Sequence, residues 1–200
     1  MKTSNKDLMT SARESLSGRW LLAIGTFVLC FVIVGAFALI NNSLIGDAGS
    51  VISTLFSGVF MLGIATFSLA VARNDDARPD MIFSGFKYFV KTLGLYLLMM
   101  LFIFLWMLLL IVPGIIAAIS YSLAFFIMAD DPSVGAMEAL KKSKKMMYGY
   151  KWKFFCLCLR FTGWILLAIL SLGVGFLWLI PYMYVSFAKF YDDLRVKSEE

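Results

Sequence analysis

From Thr92 to Ala129 the chain runs for 38 residues without a formal charge. As one helix this run would be ~57 Å long, nearly twice the ~30 Å of hydrocarbon that a membrane span must cross. Pro113-Gly114 interrupts it, and such a pair breaks a helix. The run therefore reads as two spans, 92–111 and 114–129. Trp20–Ile40 and Val51–Ala72 are also uncharged, and Phe154–Ala188 carries only Arg160. Gly173-Val174-Gly175 divides that last run into spans at 154–172 and 176–188. The expectation is an all-α membrane protein, with six transmembrane helices arranged as three helical hairpins in one polytopic domain over 1–200. Spans 114–129 and 176–188 are short, and Pro181 should kink the second, so a tilted or re-entrant course also fits them.

Composition agrees. Hydrophobic residues make up 61% and charged residues 16%, against ~45–50% and ~25% in ordinary soluble domains. Such a chain is too apolar for disorder, and it is too short to hide that much apolar surface from water. It has no histidine, which excludes histidine catalysis and histidine metal ligation. Cys30, Cys156 and Cys158 all lie in apolar runs. Cys156 and Cys158 point to nearly opposite faces of a helix, so they suit packing rather than a disulfide or a metal.

Charge placement gives an orientation. With both termini cytoplasmic, 17 of the 18 basic residues fall on one side, and Arg160 is the other. The longest outer loop, 41–50, holds only Asp47. This is the positive-inside pattern of a multi-pass membrane protein.

A unit recurs three times, over about 1–76, 77–131 and 132–193. Each hairpin begins after a glycine followed closely by a cation: Gly18-Arg19, Gly85-Phe86-Lys87 and Gly149-Tyr150-Lys151. Each ends in an acidic doublet: Asp75-Asp76, Asp130-Asp131 and Asp192-Asp193. A short amphipathic, interfacial helix precedes each hairpin, at 5–16, 81–86 and 134–147. The first has Leu8, Met9, Ala12 and Leu16 on one face, with Ser4 and Asp7 placed as a capping box.

Few residues offer chemistry. Lys141, Lys142, Lys144, Lys145 and Lys151 form the densest basic patch, suited to anionic lipid headgroups. Arg160 either snorkels to that level, pairs with one of the aspartates, or holds a ligand. Tyr121, Tyr182 and Tyr184 place hydroxyls at membrane depth, where they line a polar cluster or bond between helices. The acidic doublets either cap the cytoplasmic surface or converge on a metal or a proton. No nucleotide loop, nucleophile–base pair or nucleic-acid module is present, so no cofactor and no nucleic-acid partner is expected.

Val112-Pro113-Gly114-Ile115-Ile116, Tyr121-Ser122 and Ala129-Asp130 are followed by Glu138-Ala139-Leu140, Gly149-Tyr150-Lys151, Gly163-Trp164, Pro181-Tyr182 and Phe190-Tyr191. In these stretches the chain resembles a family of small bacterial integral membrane proteins known as domain of unknown function 975. It is also distantly similar to the membrane domain of some glycerophosphodiester phosphodiesterases. The resemblance implies a polytopic, multi-pass helical protein of a bacterial plasma membrane and brings no catalytic motif. The expected role is non-enzymatic: an accessory, immunity or envelope protein, or one that interacts with lipids. Its expected partners are anionic membrane lipids, and a membrane protein or a second copy is a further candidate. The alternative is a small transporter or channel-like carrier of a lipophilic or anionic substrate.

Overall fold

The computed structural model describes residues 3–199; Lys2, counted above among the cytoplasmic cations, lies outside them. The described residues are 85% helical, with no strand among them. The elements are α1 (Asn5–Leu16), α2 (Trp20–Ile45), α3 (Asp47–Arg73), a 3-10 turn (Pro79–Phe83), α4 (Ser84–Lys87), α5 (Phe89–Leu109), α6 (Ile111–Tyr121), α7 (Ala124–Asp130), α8 (Ala136–Met146), α9 (Lys151–Leu170) and α10 (Phe176–Glu199). Five segments are long and apolar enough to cross a membrane: α2, α3, α5, the α6–α7 pair and α9. The sixth expected span is the first half of α10, whose second half carries Lys189, Asp192, Asp193, Arg195 and Lys197.

Three sequence expectations change in detail. Residues 41–50 form no open loop. Gly46 alone separates α2 from α3, with φ +57°, and Asn41 bonds back to the Phe37 carbonyl to prolong the helix (2.8 Å). The few charged residues after Asp193, which the sequence leads one to expect as a frayed tail, are helical as far as Glu199, because α10 continues through them. The second amphipathic stretch is a 3-10 turn followed by one helical turn rather than a single helix.

The glycines that open the units serve two purposes. Gly18 and Gly149 have φ of +77° and +81°, which glycine adopts at no steric cost; they turn the chain from α1 into α2 and from α8 into α9. Gly85 sits inside α4, where an added Cβ would lie 2.1 Å from the Val59 carbonyl oxygen. There the glycine permits contact between backbones.

The helices adjoining in sequence pack together: α2 on α3, α5 on α6, and α9 on α10. At the centre, α3 packs on both α7 and α10. The core consists of Phe67, Leu62 and Val71 of α3, residues Ala124–Met128 of α7, and Val185, Ala188 and Phe190 of α10. Helix α1 carries the capping box between Ser4 and Asp7. Its apolar face, Leu8, Ala12 and Leu16, is buried, and the helix packs on α10, α3 and α9. Helix α8 buries Ala139, Leu140 and Ser143 on the side where it meets α5, α6 and α7. Both amphipathic helices thus turn their apolar faces inward.

Candidate functional site

The C-terminal ends of α3, α7 and α10 meet in a charged cluster. Arg73, the last residue of α3, donates to Asp130 Oδ1 of α7 at 2.6 Å and to Asp192 Oδ1 of α10 from Nη2 at 2.7 Å and Nε at 3.1 Å. Arg195 approaches Asp130 Oδ2 at 2.5 Å, and the Tyr191 hydroxyl donates to the same oxygen at 2.9 Å. Two cations face two anions. The Asp130 side chain is only 11% exposed, so its oxygens are occupied by protein donors and shielded from water. Burial, reinforced by the adjacent Asp130 charge, pushes the Tyr191 phenol well above its ordinary range, and it stays a proton donor. The cluster is chemically closed: it ties helix ends together and leaves no free carboxylate for proton transfer.

Beside it, between α7, α8 and α10, opens a cavity of about 540 Å3. Asp130, Tyr191 and Arg195 border it on the cluster side, and Asp131, Lys142, Lys145, Tyr148, Tyr150 and Lys197 complete its polar lining. Ile127, Val134, Met146 and Leu194 supply apolar wall. Lys142 pairs with Glu138 at 3.3 Å, and the Lys197 ammonium lies over the Tyr150 ring, 5.2 Å from its centroid. The Ser133 side chain, with its backbone N–H, holds the Asp131 carboxyl below the usual carboxylate range. Cations outnumber acids on this lining, and such a space accepts an anionic group with some apolar character.

Lys141, Lys142, Lys144 and Lys145 are all exposed on α8, and Lys151 is half-buried at the start of α9. Only Lys142 and Lys145 of these border the cavity. Arg160 is exposed on α9. The aspartates Asp130 and Asp192 take Arg73 and Arg195 as their cations, so the expected option of an Arg160–aspartate pair is not realised. The three tyrosines lie in different surroundings. Tyr121 packs on Phe102, Tyr182 donates to the Met9 carbonyl of α1 at 3.1 Å, and Tyr184 packs on Phe27 and Phe187. No hydrogen bond or ring contact among the described residues joins them. Two of the three acidic doublets contribute to the cluster, whereas Asp75 and Asp76 stay exposed. Among the described residues no group of three cysteine or acidic side chains is placed to hold a metal.

Sequence reasoning passed over Arg73, Tyr191 and Arg195. The recurrent doublets marked the acids, but their partner lies 57 and 119 residues away in the chain, beyond any local pattern.

The family described as "Protein of unknown function (DUF975)" matches residues 1–124 and 107–198. No curated protein and no solved structure matches the chain.

Proposed function

The chain belongs to the DUF975 family of proteins of unknown function, and on its own geometry we propose that it is a non-enzymatic, six-crossing protein of a bacterial plasma membrane that works through contact with anionic lipid. In this reading the crossings form three hairpins, the first half of α10 is the sixth, and both termini are cytoplasmic. One observation carries the lipid assignment. Lys141, Lys144 and Lys145 are exposed and their ammonium groups make no hydrogen bond or ion pair among the described residues, while Asp130 and Asp192 are already held by Arg73 and Arg195. The basic face therefore keeps its charge for an outside partner, and each cation near an anionic membrane surface contributes ~1 kcal/mol. Tyr148 and Trp152, 82% and 74% exposed beside it, are residue types favoured at headgroup depth.

Extraction in polymer nanodiscs tests this. The annulus of the unaltered protein should be enriched in anionic phospholipid over the bulk membrane, and Lys141→Gln/Lys144→Gln/Lys145→Gln should remove the enrichment. An annulus matching the bulk composition would overturn the reading. A second reading, a small carrier of an anionic substrate, draws on the cation-lined cavity beside Asp130. Uptake of a labelled organic anion by proteoliposomes, lost on Lys145→Glu, would favour it.

A further inference from the structure

We propose that a second, separate site holds one anionic phospholipid: a groove beside α10, with the lipid phosphate on Arg13 and an acyl chain laid along Trp164 and Trp178. The groove has a volume of about 440 Å3, within the ~300–1,000 Å3 typical of small-ligand sites. It exists because α10 packs on both α2 and α9, while α2 and α9 form no comparable packing with each other. Leu179 and Ala168, both buried, lie at its base, and Trp20 of α2, Trp164 and Leu167 of α9, and Trp178 of α10 form its walls.

Arg13 is the sole charged residue on this lining. It lies in the last turn of α1, is exposed, and has no hydrogen bond or ion pair among the described residues. The position of α1 is fixed at several points. Tyr182 bonds the Met9 carbonyl at 3.1 Å, Ser15 bonds the Ala72 carbonyl at 3.3 Å, and Asn5 bonds the Lys153 carbonyl at 2.9 Å. Arg13 is thus held at the groove by its helix while its guanidinium stays available. A guanidinium fork matches a phosphate in shape and charge, and indole rings tolerate both hydrocarbon and headgroup. An unpaired cation opening onto an apolar channel selects an amphiphile with an anionic head. A zwitterionic headgroup would bring a cation beside its phosphate and gain less from Arg13, and a purely hydrocarbon occupant would leave Arg13 without a counter-charge.

The inference rests on the membrane reading above but not on the lysine face. Its test uses the full chain in detergent with Trp106→Phe and Trp152→Phe, so that Trp20, Trp164 and Trp178 alone report. Phosphatidylglycerol brominated on one acyl chain is titrated against the phosphatidylcholine of the same chains. Quenching should saturate at a concentration about fivefold lower for the anionic lipid, the increment expected of one cation at the headgroup level. Arg13→Gln should abolish the difference and Arg13→Lys should retain most of it, with all variants eluting alike in gel filtration. Lys141→Gln/Lys144→Gln/Lys145→Gln should leave the difference intact. Equal quenching by the two lipids in the unaltered groove, or a preference lost with the lysines but kept in Arg13→Gln, would overturn the proposal. The annulus experiment and the quenching experiment read different residues, so either conclusion can fail alone.

Discussion

Helices α2, α5 and α9 lead away from the charged face, and α3, α6–α7 and α10 return to it. The two sets meet their surroundings differently. In the most apolar stretch of each outgoing helix, 22%, 17% and 22% of the residues are buried; for α3 and α6–α7 the shares are 61% and 50%. Glycines divide the same way. Gly25, Gly35 and Gly163 on the outgoing set face open space, and Gly94 meets only a methyl group at 3.8 Å. On the returning set a Cβ at Gly63 would lie 2.0 Å from the Ile82 oxygen, one at Gly58 2.5 Å from the Tyr96 ring, and one at Gly114 2.4 Å from Met107. Inside a bilayer no hydrophobic force draws helices together, because lipid tails are as apolar as leucine; close packing of small residues does that instead. In both α2/α3 and α5/α6–α7, one helix leaves most of its apolar stretch outside the protein while the other is half or more enclosed by it. The protein-facing helices also carry the ionic cluster at their ends.

Variants can break or sharpen this contrast. Gly63→Leu forces a side chain into the Ile82 backbone and should cost about 3 kcal/mol or more, read as loss of the monodisperse gel-filtration peak. Arg73→Gln leaves Asp192 without its ion-pair partner and Asp130 with Arg195 alone. Because Arg73 keeps 30% exposure, its cost should be about 2–3 kcal/mol, below that of a fully buried pair, read as a lowered melting temperature in detergent. Ser143→Ala removes the 2.7 Å bond from α8 to the Ser120 carbonyl and should cost about 1 kcal/mol by the same assay. On the outgoing set, Gly163→Ala should raise stability by about 0.5 kcal/mol through helix propensity, and Arg160→Gln should change it by less than about 0.5 kcal/mol. A large loss from either outgoing variant would mean that α9 packs on something other than lipid.

What the sequence disclosed was local. The limits of α1 and its capping box follow from Ser4, Asp7 and the spacing of Leu8, Ala12 and Leu16, all within a few turns. The turns at Gly18 and Gly149 are likewise set by neighbouring residues, whereas the break expected at Pro113-Gly114 falls at Leu110, and Pro113 lies in the first turn of α6, where a missing N–H costs no helical bond. Hidden from the sequence were relations between repeats. An apolar run does not say which of its faces meets lipid, so Leu101 and Phe67 read alike although the first is 50% exposed and the second is buried. The break between α6 and α7 at Ser122-Leu123 carries no glycine or proline, and nothing in the sequence marks it. The charged cluster draws on three helix ends that only the packing of α3 against α7 and α10 brings together, so its cation could not be named in advance.

That cluster sets an order for biogenesis. As the polypeptide leaves the ribosome, Arg73 emerges 57 residues before Asp130 and 119 before Asp192. The first third of the protein is therefore made before either carboxylate that holds this guanidinium; Asp130 is the first to become available, and Asp192 completes the pairing. A product terminated before residue 192 lacks one of the two carboxylates that hold Arg73, and its α3 and α7 ends are joined without the third helix.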